Sequence, residues 1–363
     1  MEPVVEVSHG TGRYPVFVAP GLAGDLARQV ERLLPGRRLV VITDRTVGRA
    51  VPHGLDVPTL VVAPGEGSKT RARWSALTNR LLELGFGRDA ALVALGGGVV
   101  GDLAGFVAAT YLRGIPWLQV PTSLLAMVDA SVGGKTGLNT RRGKNLIGAF
   151  HPPVAVLADP AVLGTLHPAH LGAGLVEAVK HGLVADPQYF AWIEQNLDSL
   201  LGREPEGLAQ LVSWSVRIKA AVVSEDEREA GRRSILNAGH TVGHAIEQVS
   251  GYTVLHGDAV AVGLVAEAIL SERLGLAGPS LSPALRSLLR RLGRPTFLDP
   301  EWSPAALLEA MQHDKKARNG AIRFALATDI GSMARDGDRW TVPVPPALVR
   351  TVLGSTRSGA PGS

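Results

Sequence analysis

Apolar and polar positions along the chain fall into two textures. Up to about residue 160, short apolar runs alternate with amphipathic segments. The runs "PVVEV" and "YPVFVA" predict a short hairpin at the start. "RRLVVITD", which ends at Asp44, "TLVVAP" (59–64), "AALVAL" (90–95) and "PWLQVP" (116–121) predict buried parallel strands, being short and almost continuously apolar. Between the second and third of these, "RARWSALTNRLLELGF" places Trp74, Leu77, Leu81 and Leu84 on one helical face. Strands separated by helices predict a doubly wound parallel sheet.

Beyond residue 160 the period becomes helical. "AHLGAGLVEAVKHGLV", "YFAWIEQNLDSLL", "GLAQLVSWSVRIKAAVVSEDERE", "AVAVGLVAEAILSERLGL" and "PALRSLLRRLG" all read as helices, with no comparable series of buried strands. The Pro- and Gly-containing stretch "VLADPAVLGTLHP" is the expected junction. The expected architecture is an α/β Rossmann-like N-terminal domain with a parallel sheet (1–160), then an all-α C-terminal domain (161–353). The polar, Gly- and Ser-rich tail (354–363) is expected to be disordered.

Composition narrows the function classes. The 363 residues include no cysteine, so disulfides and Cys-ligated metals are excluded and a cytoplasmic protein is expected. The start of the chain lacks the basic and apolar regions of a signal peptide, and no uncharged run is long enough to span a bilayer. The net charge of +4 is mild and comes without a basic stripe or stacking aromatics, which argues against nucleic acid as a partner. Cations do cluster locally. "SVGGKTGLNTRRGKN" (131–145) holds Lys135, Arg141, Arg142 and Lys144 and no acid, as a site for a small anion would. It is not a nucleotide-triphosphate loop, because Asp129 stands where the first glycine of G-x-x-x-x-G-K-[ST] belongs.

Two further patterns carry chemistry. "ALVALGGGVVGDLAGF" contains G-x-G-x-x-G at Gly96, Gly98 and Gly101, between a strand and a helix. That context suits a pyrophosphate at a helix N-terminus, and it equally suits a tight turn with no ligand. Asp44 ends a buried strand, where a carboxylate can accept from ribose hydroxyls or cap a helix, and "PGEGSKT" (64–70) supplies a third polar loop. In the helical half, His240 and His244 share a helix face and His256 follows in an apolar context. Three ligands and an open position would make a catalytic metal site, and Glu177, on a helix that reads as buried, can supply a carboxylate or pair with Lys180.

These pieces resemble one family. "GGGVVGDLAGFVAATYLRG", "QVPTSLLAMVDASVGGKTGLNTRRGKNLIGAFHPP", "GLVEAVKHG", "ILNAGHTVGHAIE", "LHGDAVAVG" and "HDKKARNGAIRF" are similar to the 3-dehydroquinate synthases, within the sugar phosphate cyclases, in order and spacing. The resemblance implies conversion of 3-deoxy-D-arabino-heptulosonate 7-phosphate to 3-dehydroquinate and phosphate, with NAD regenerated each turnover and a divalent metal, zinc or cobalt. By the same likeness Glu177, His240 and His256 are the metal ligands, and His244 serves phosphate binding and proton transfer. Lys135 and Asn145 would hold the substrate phosphate, joined by Arg113 from a neighbouring subunit of a homodimer, and Asp129 would bond a substrate hydroxyl. Lys219, Arg233 and one of Lys315 or Lys316 would bind the carboxylate, with Lys180 and Asn237 completing the polar shell. The NAD set implied is Asp44, Glu66, Lys69, Gly97, Gly98, Val99, Gly101, Asp102, Thr122, Ser123, Lys135, Lys144 and Thr165. The chain departs from the family pattern at Thr46, at Ser123, in "NTRRGKN", which lacks a proline, and in "TLHPAHLGAG". A sibling cyclase, a metal-dependent alcohol dehydrogenase and a non-enzymatic phosphosugar-binding protein are the competing readings.

Overall fold

The computed structural model describes residues 2–141, 143–313 and 322–357. The chain forms two compact units, one of Met1–His167 with Arg203–Glu227, the other of Pro168–Gly202 with Arg228–Ser363.

In the first unit the order is β1 (Val5–His9), β2 (Gly12–Val18), α1 (Leu26–Leu33), β3 (Arg38–Asp44), α2 (Arg45–Ala50), β4 (Thr59–Val62), α3 (Arg71–Glu83), β5 (Ala90–Gly96) and α4 (Gly98–Thr110). There follow β6 (Trp117–Pro121), β7 (Lys135–Thr140), β8 (Gly143–Phe150) and β9 (Ala155–Ala158). Among the described residues seven strands make one sheet, in the order β1-β2-β9-β6-β5-β3-β4. Only β1 runs antiparallel to its neighbour.

Side chains alternate across this sheet as the two-residue period requires. Val40, Ile42, Leu92 and Ala94 pack with α3 and α4 on one face, while Val41, Val93, Leu95, Leu118 and Val120 pack with α1 on the other. Every residue of β5 is buried. Each buried Val, Leu or Ile side chain contributes roughly 1.5–3 kcal/mol of transfer free energy, which is why these runs read so clearly. Chain order reverses between β3 and β5. β3 continues outward to β4, and β5 continues the other way to β6. This is the switch point at whose carboxyl edge ligands of open α/β sheets bind.

Some elements differ from the sequence reading. β4 is parallel as expected, but it is the sheet's edge strand and only one of its faces is covered: Leu60 and Val62 pack into the core, while Val61, pointing to the opposite face, is 53% exposed. The junction hides β9, four buried residues between β2 and β6, too short for a periodic signal. The cation-rich segment forms the antiparallel β7–β8 hairpin, whose glycines permit close strand approach. A Cβ on Gly148 would stand 2.3 Å from the Thr136 carbonyl oxygen. Helix α8 (Pro205–Glu225), expected in the helical domain, belongs to the first unit, where Ser8 N–H donates to Ser224 Oγ (3.0 Å) and Gly10 N–H to Glu227 Oε2 (2.8 Å).

The second unit contains α5 (Pro168–Ala185), α6 (Pro187–Gln195), α7 (Leu197–Leu201), α9 (His240–Val249), α10 (His256–Arg273), α11 (Leu281–Arg291), α12 (Pro304–His313) and α13 (Pro346–Ser355). From Leu171 to Val184 every residue of α5 is buried, so its charged members must find partners inside the protein. Two small ribbons, β10 (Ile322–Phe324) with β13 (Val342–Val344) and β11 (Ala327–Asp329) with β12 (Ser332–Met333), interrupt the otherwise helical unit. Strands of two or three residues are too short for alternation to show. The ordered chain also runs past residue 354. α13 continues to Ser355, Thr356 is buried, and Arg357 bridges Leu298.

Candidate active site

In the first unit, the loops at the carboxyl edge of the sheet carry most of the residues expected to bind a dinucleotide. α4 begins directly after β5, with Gly97 as its N-cap and no side-chain cap, so its first backbone N–H groups are available to an anion. Of the fingerprint glycines, Gly96 is required by packing against a rigid neighbour, whereas Gly101 faces the movable end of a glutamine side chain. A Cβ on Gly96 would stand 2.5 Å from Val100 Cβ, and one on Gly101 2.4 Å from Gln119 Nε2. Gly98 is looser, its Cβ position lying 3.4 Å from Ala130. A turn that keeps glycine where close packing demands none of it suits a bound pyrophosphate. Asp44 caps α2, its Oδ1 accepting from the N–H groups of Thr46 (2.8 Å) and Val47 (2.9 Å), so the capping alternative is realised. Thr122 is buried after β6, Ser123 Oγ accepts from Ala126 N–H (3.3 Å), and Thr165 Oγ1 donates to the Val162 carbonyl (2.9 Å).

A polar network joins these loops to the β7–β8 hairpin. Lys69, 3% exposed, donates from Nζ to Asp102 Oδ2 and to Asn145 Oδ1, both at 2.6 Å. Burial pushes the Asp102 carboxyl above its ordinary value, with the Lys69 charge and hydrogen bond pulling the other way. Asn139, absent from the sequence-derived set, closes the network. It donates from Nδ2 to Glu66 Oε2 (2.7 Å), accepts at Oδ1 from Asn145 N–H (3.1 Å), and its own N–H donates to the Lys69 carbonyl (2.8 Å). Asn145 holds φ = +55°, a left-handed conformation that Asn tolerates. Asp129 lies in a π-helical turn, Ala126–Ala130, and Lys219 from α8 donates to its Oδ1 (2.7 Å) and its carbonyl oxygen (2.5 Å). Lys135 opens β7 and Lys144 lies in β8. Arg113 is exposed, and both it and Leu112 have positive φ.

In the second unit, Glu177, His240 and His256 offer ligand atoms within 4.8 Å of one another. Glu177 Oε1 lies 3.3 Å from His256 Nε2 and 3.7 Å from His240 Nε2, while Oε2 pairs with Lys180 one turn on. The ion pair with Lys180 is therefore formed by one oxygen, and the other oxygen faces the two imidazoles. Each histidine also has its other nitrogen occupied. His240 Nδ1 lies 3.0 Å from the Ala238 carbonyl, and His256 Nδ1 lies 3.4 Å from Glu247 Oε2. A partner at Nδ1 fixes the ring and leaves Nε2 as the ligand atom, the arrangement that metal-binding histidines use. A carboxylate and two imidazoles, with the Nε2 atoms turned to one oxygen, fit zinc or cobalt.

Electrostatics separate the two rings. Burial, and next the Lys180 charge, hold His240 well below its usual value, so it is neutral. Burial acts the same way on His256, but hydrogen bonds to Glu177 and Glu247 outweigh it and raise its pKa to about 10 without metal. His244 lies outside the ligand group, its ring centroid 5.3 Å from that of His240 and 6.3 Å from that of His256. Arg233 is buried, and Asn237 donates from Nδ2 to Glu229 Oε1 at 2.5 Å. Glu229, with φ = +60°, was invisible in the charge run "EREAGRR". Lys315 and Lys316 lie outside the described residues. No helix among the described residues is long and apolar enough to cross a membrane.

Comparison with known proteins adds an independent line. A family model described as 3-dehydroquinate synthase N-terminal matches residues 59–173, and one described as 3-dehydroquinate synthase C-terminal matches 174–317. The chain is 45% identical over 346 residues to the 3-dehydroquinate synthase of Rhodospirillum rubrum, covering 90% of this chain and 89% of that one. Among solved structures it is similar to 2-deoxy-scyllo-inosose synthase complexed with carbaglucose-6-phosphate, NAD+ and Co2+ (TM-score 0.87, 27% identity, 96% of this chain and 98% of that one). It is also similar to 2-epi-5-epi-valiolone synthase from Streptomyces hygroscopicus subsp. jinggangensis 5008 with NAD+ and Zn2+ bound (TM-score 0.84, 29% identity, 98% of both chains).

Proposed function

The chain belongs to the 3-dehydroquinate synthase family, and from that membership we propose that it converts 3-deoxy-D-arabino-heptulosonate 7-phosphate to 3-dehydroquinate and inorganic phosphate. The observation that carries this reading is the Glu177, His240 and His256 group, a ligand set suited to the alcohol chemistry with which the family's reaction begins and which it later reverses. When bound, a divalent metal such as zinc or cobalt supplies charge that acidifies the hydroxyl to be oxidised, and NAD takes up and returns the hydride.

The residues divide accordingly. Glu177, His240 and His256 hold the metal. Gly97, Gly98, Val99 and Gly101 at the α4 N-terminus receive the NAD pyrophosphate, with Asp44, Glu66, Lys69, Asp102, Thr122, Ser123, Lys144 and Thr165 around the rest of the dinucleotide. Lys135 and Asn145 hold the substrate phosphate. Asp129, gripped by Lys219, accepts from a substrate hydroxyl. Arg233 and Lys219, with Lys315 or Lys316, take the carboxylate, for which a guanidinium offers a bidentate fork. Lys180, Asn237 and His244 complete the polar shell. Arg113 reaches the phosphate of a neighbouring copy in a cytoplasmic homodimer.

The two solved neighbours named above are sibling cyclases, whereas the relative at 45% identity is named for 3-dehydroquinate. Burial of both Lys219 and Arg233 favours a substrate that carries a carboxylate over a sugar phosphate that lacks one. The test is phosphate release from 3-deoxy-D-arabino-heptulosonate 7-phosphate by purified protein with catalytic NAD and zinc, before and after chelation. Chelator-sensitive release without net NADH is expected. Stoichiometric NADH would indicate a dehydrogenase instead, and preference for the amino analogue of the substrate would indicate an aminodehydroquinate synthase.

A further inference from the structure

The two histidines of the metal group occupy the same unusual place. His240 is the first residue of α9 and His256 the first residue of α10. Helix ends are where a helix frays, and here neither end has a side-chain cap of its own. The N-caps are Gly239, at φ = +77°, and Leu255. A ligand on such an end is held no better than the end itself.

The support comes from the opposite helix in each case. Glu267, three turns along α10, accepts from Gly239 N–H at Oε2 (2.7 Å) and from Val242 N–H at Oε1 (3.2 Å), so it caps the end of α9 that bears His240. Glu247, near the end of α9, places Oε2 3.4 Å from His256 Nδ1. The helices therefore exchange carboxylates, each steadying the other's ligand. Glycines make the approach possible. A Cβ on Gly263 would stand 2.0 Å from the Gly239 carbonyl oxygen, and one on Gly243 3.3 Å from the Ala259 backbone. Glu247 and Glu267 are 2% and 3% exposed. Burying a carboxylate is costly unless charged or hydrogen-bonded groups receive it, and these two meet an imidazole and a helix N-terminus.

We propose that Glu247 is a positioning residue for the metal: it holds His256 with Nε2 turned to the ion and strengthens that nitrogen as a donor, while Glu267 does the corresponding service for His240 by capping α9. The proposal rests on the metal reading given above and extends it to two residues outside the ligand set. Glu247 lies seven residues after His240 and three after His244, on the same face of α9. Glu267 lies eleven residues after His256, three full turns along α10.

The experiment measures zinc affinity by competition with a chromophoric chelator, and the visible spectrum of the cobalt-loaded protein, for the parent chain, Glu247→Gln and Glu247→Leu. Neither readout needs substrate. Loss of an outer-sphere partner weakens metal binding about 10–100-fold. Glu247→Gln, which can still accept from Nδ1–H but lacks the charge, is expected near the lower end, and Glu247→Leu near the upper end with an altered cobalt spectrum. Glu267→Gln is expected to weaken zinc as well, with the first turn of α9 exchanging amide protons faster. If Glu247→Leu does not fold, Glu247→Gln decides. Affinity within twofold of the parent and an unchanged cobalt spectrum in Glu247→Gln would overturn the proposal while leaving the metal site standing. Failure of the parent chain to bind zinc would overturn the metal reading and the proposal with it.

Discussion

Lys69 and Asp102, 33 residues apart in sequence, meet as an ion pair of 2.6 Å at the carboxyl edge of the sheet. Lys69 is almost wholly buried and its ammonium also serves Asn145. Removing one partner of such a pair strands the other charge, at about 3–5 kcal/mol for fully buried cases. Asp102 is partly exposed, so Lys69→Met is expected to cost about 2–3 kcal/mol in urea unfolding at pH 7 and to weaken NAD binding. The carboxyl of Asp102 is already raised by burial, and loss of Lys69 raises it further. Its folded state then holds a proton more tightly than its unfolded state. Stability of the variant should therefore recover as pH falls from 7 toward 5. A Lys69→Met loss that is flat across that range would contradict the pairing described.

Gly96 and Gly98 should separate packing from ligand binding. A methyl at position 96 would overlap Val100, so Gly96→Ala is expected to lose about 1–3 kcal/mol of stability. At position 98 the added carbon meets Ala130 at an ordinary 3.4 Å, so Gly98→Ala should unfold like the parent. It should nonetheless bind NAD about tenfold more weakly, because the methyl stands where backbone must approach the pyrophosphate. Calorimetric NAD titrations and thermal unfolding of both variants check this. Equal NAD affinity in Gly98→Ala and parent would remove the α4 terminus from the cofactor site.

His256→Ala removes a ligand rather than its support. Zinc affinity is expected to fall by more than the ~100-fold limit typical of outer-sphere changes, with phosphate release lost and far-ultraviolet circular dichroism unchanged. Retained zinc and activity would contradict the assignment of Glu177, His240 and His256.

The pH dependence of metal binding follows from the same ring. Without metal, His256 keeps a proton up to about pH 10, against 6.5 for an ordinary histidine. That proton's contribution to the stability of the metal-free protein is complete below about pH 6.5 and is lost as pH rises through about 10. Zinc must displace it from Nε2. Apparent zinc affinity should rise about tenfold per pH unit between 7 and 9, with close to one proton released at pH 8. Calorimetry in buffers of different ionisation enthalpy counts that proton. No release at pH 8 would show that His256 is neutral before metal arrives.

By itself, the sequence determined what depends on local period and on motif. β3, β5 and β6 were legible because both faces of each strand are buried, so apolar residues run almost continuously. Long helices such as α5 and α10 were legible as long segments rich in small and apolar residues, and the glycine turn before α4 from type and spacing, while the choice of Glu177, His240 and His256 among the candidate ligands came from the family resemblance. Tertiary structure alone decided whatever depends on partners far away in the chain. β9 is a strand because β2 and β6 flank it, and α8 joins the first unit because β1 receives it. Asn139 matters because Glu66 and Asn145 converge on it, and Glu247 and Glu267 because α9 and α10 lie close enough to exchange them. Period and propensity act over a few residues, whereas a hydrogen bond to a buried carboxylate depends on which backbone folding brings within 3 Å of it.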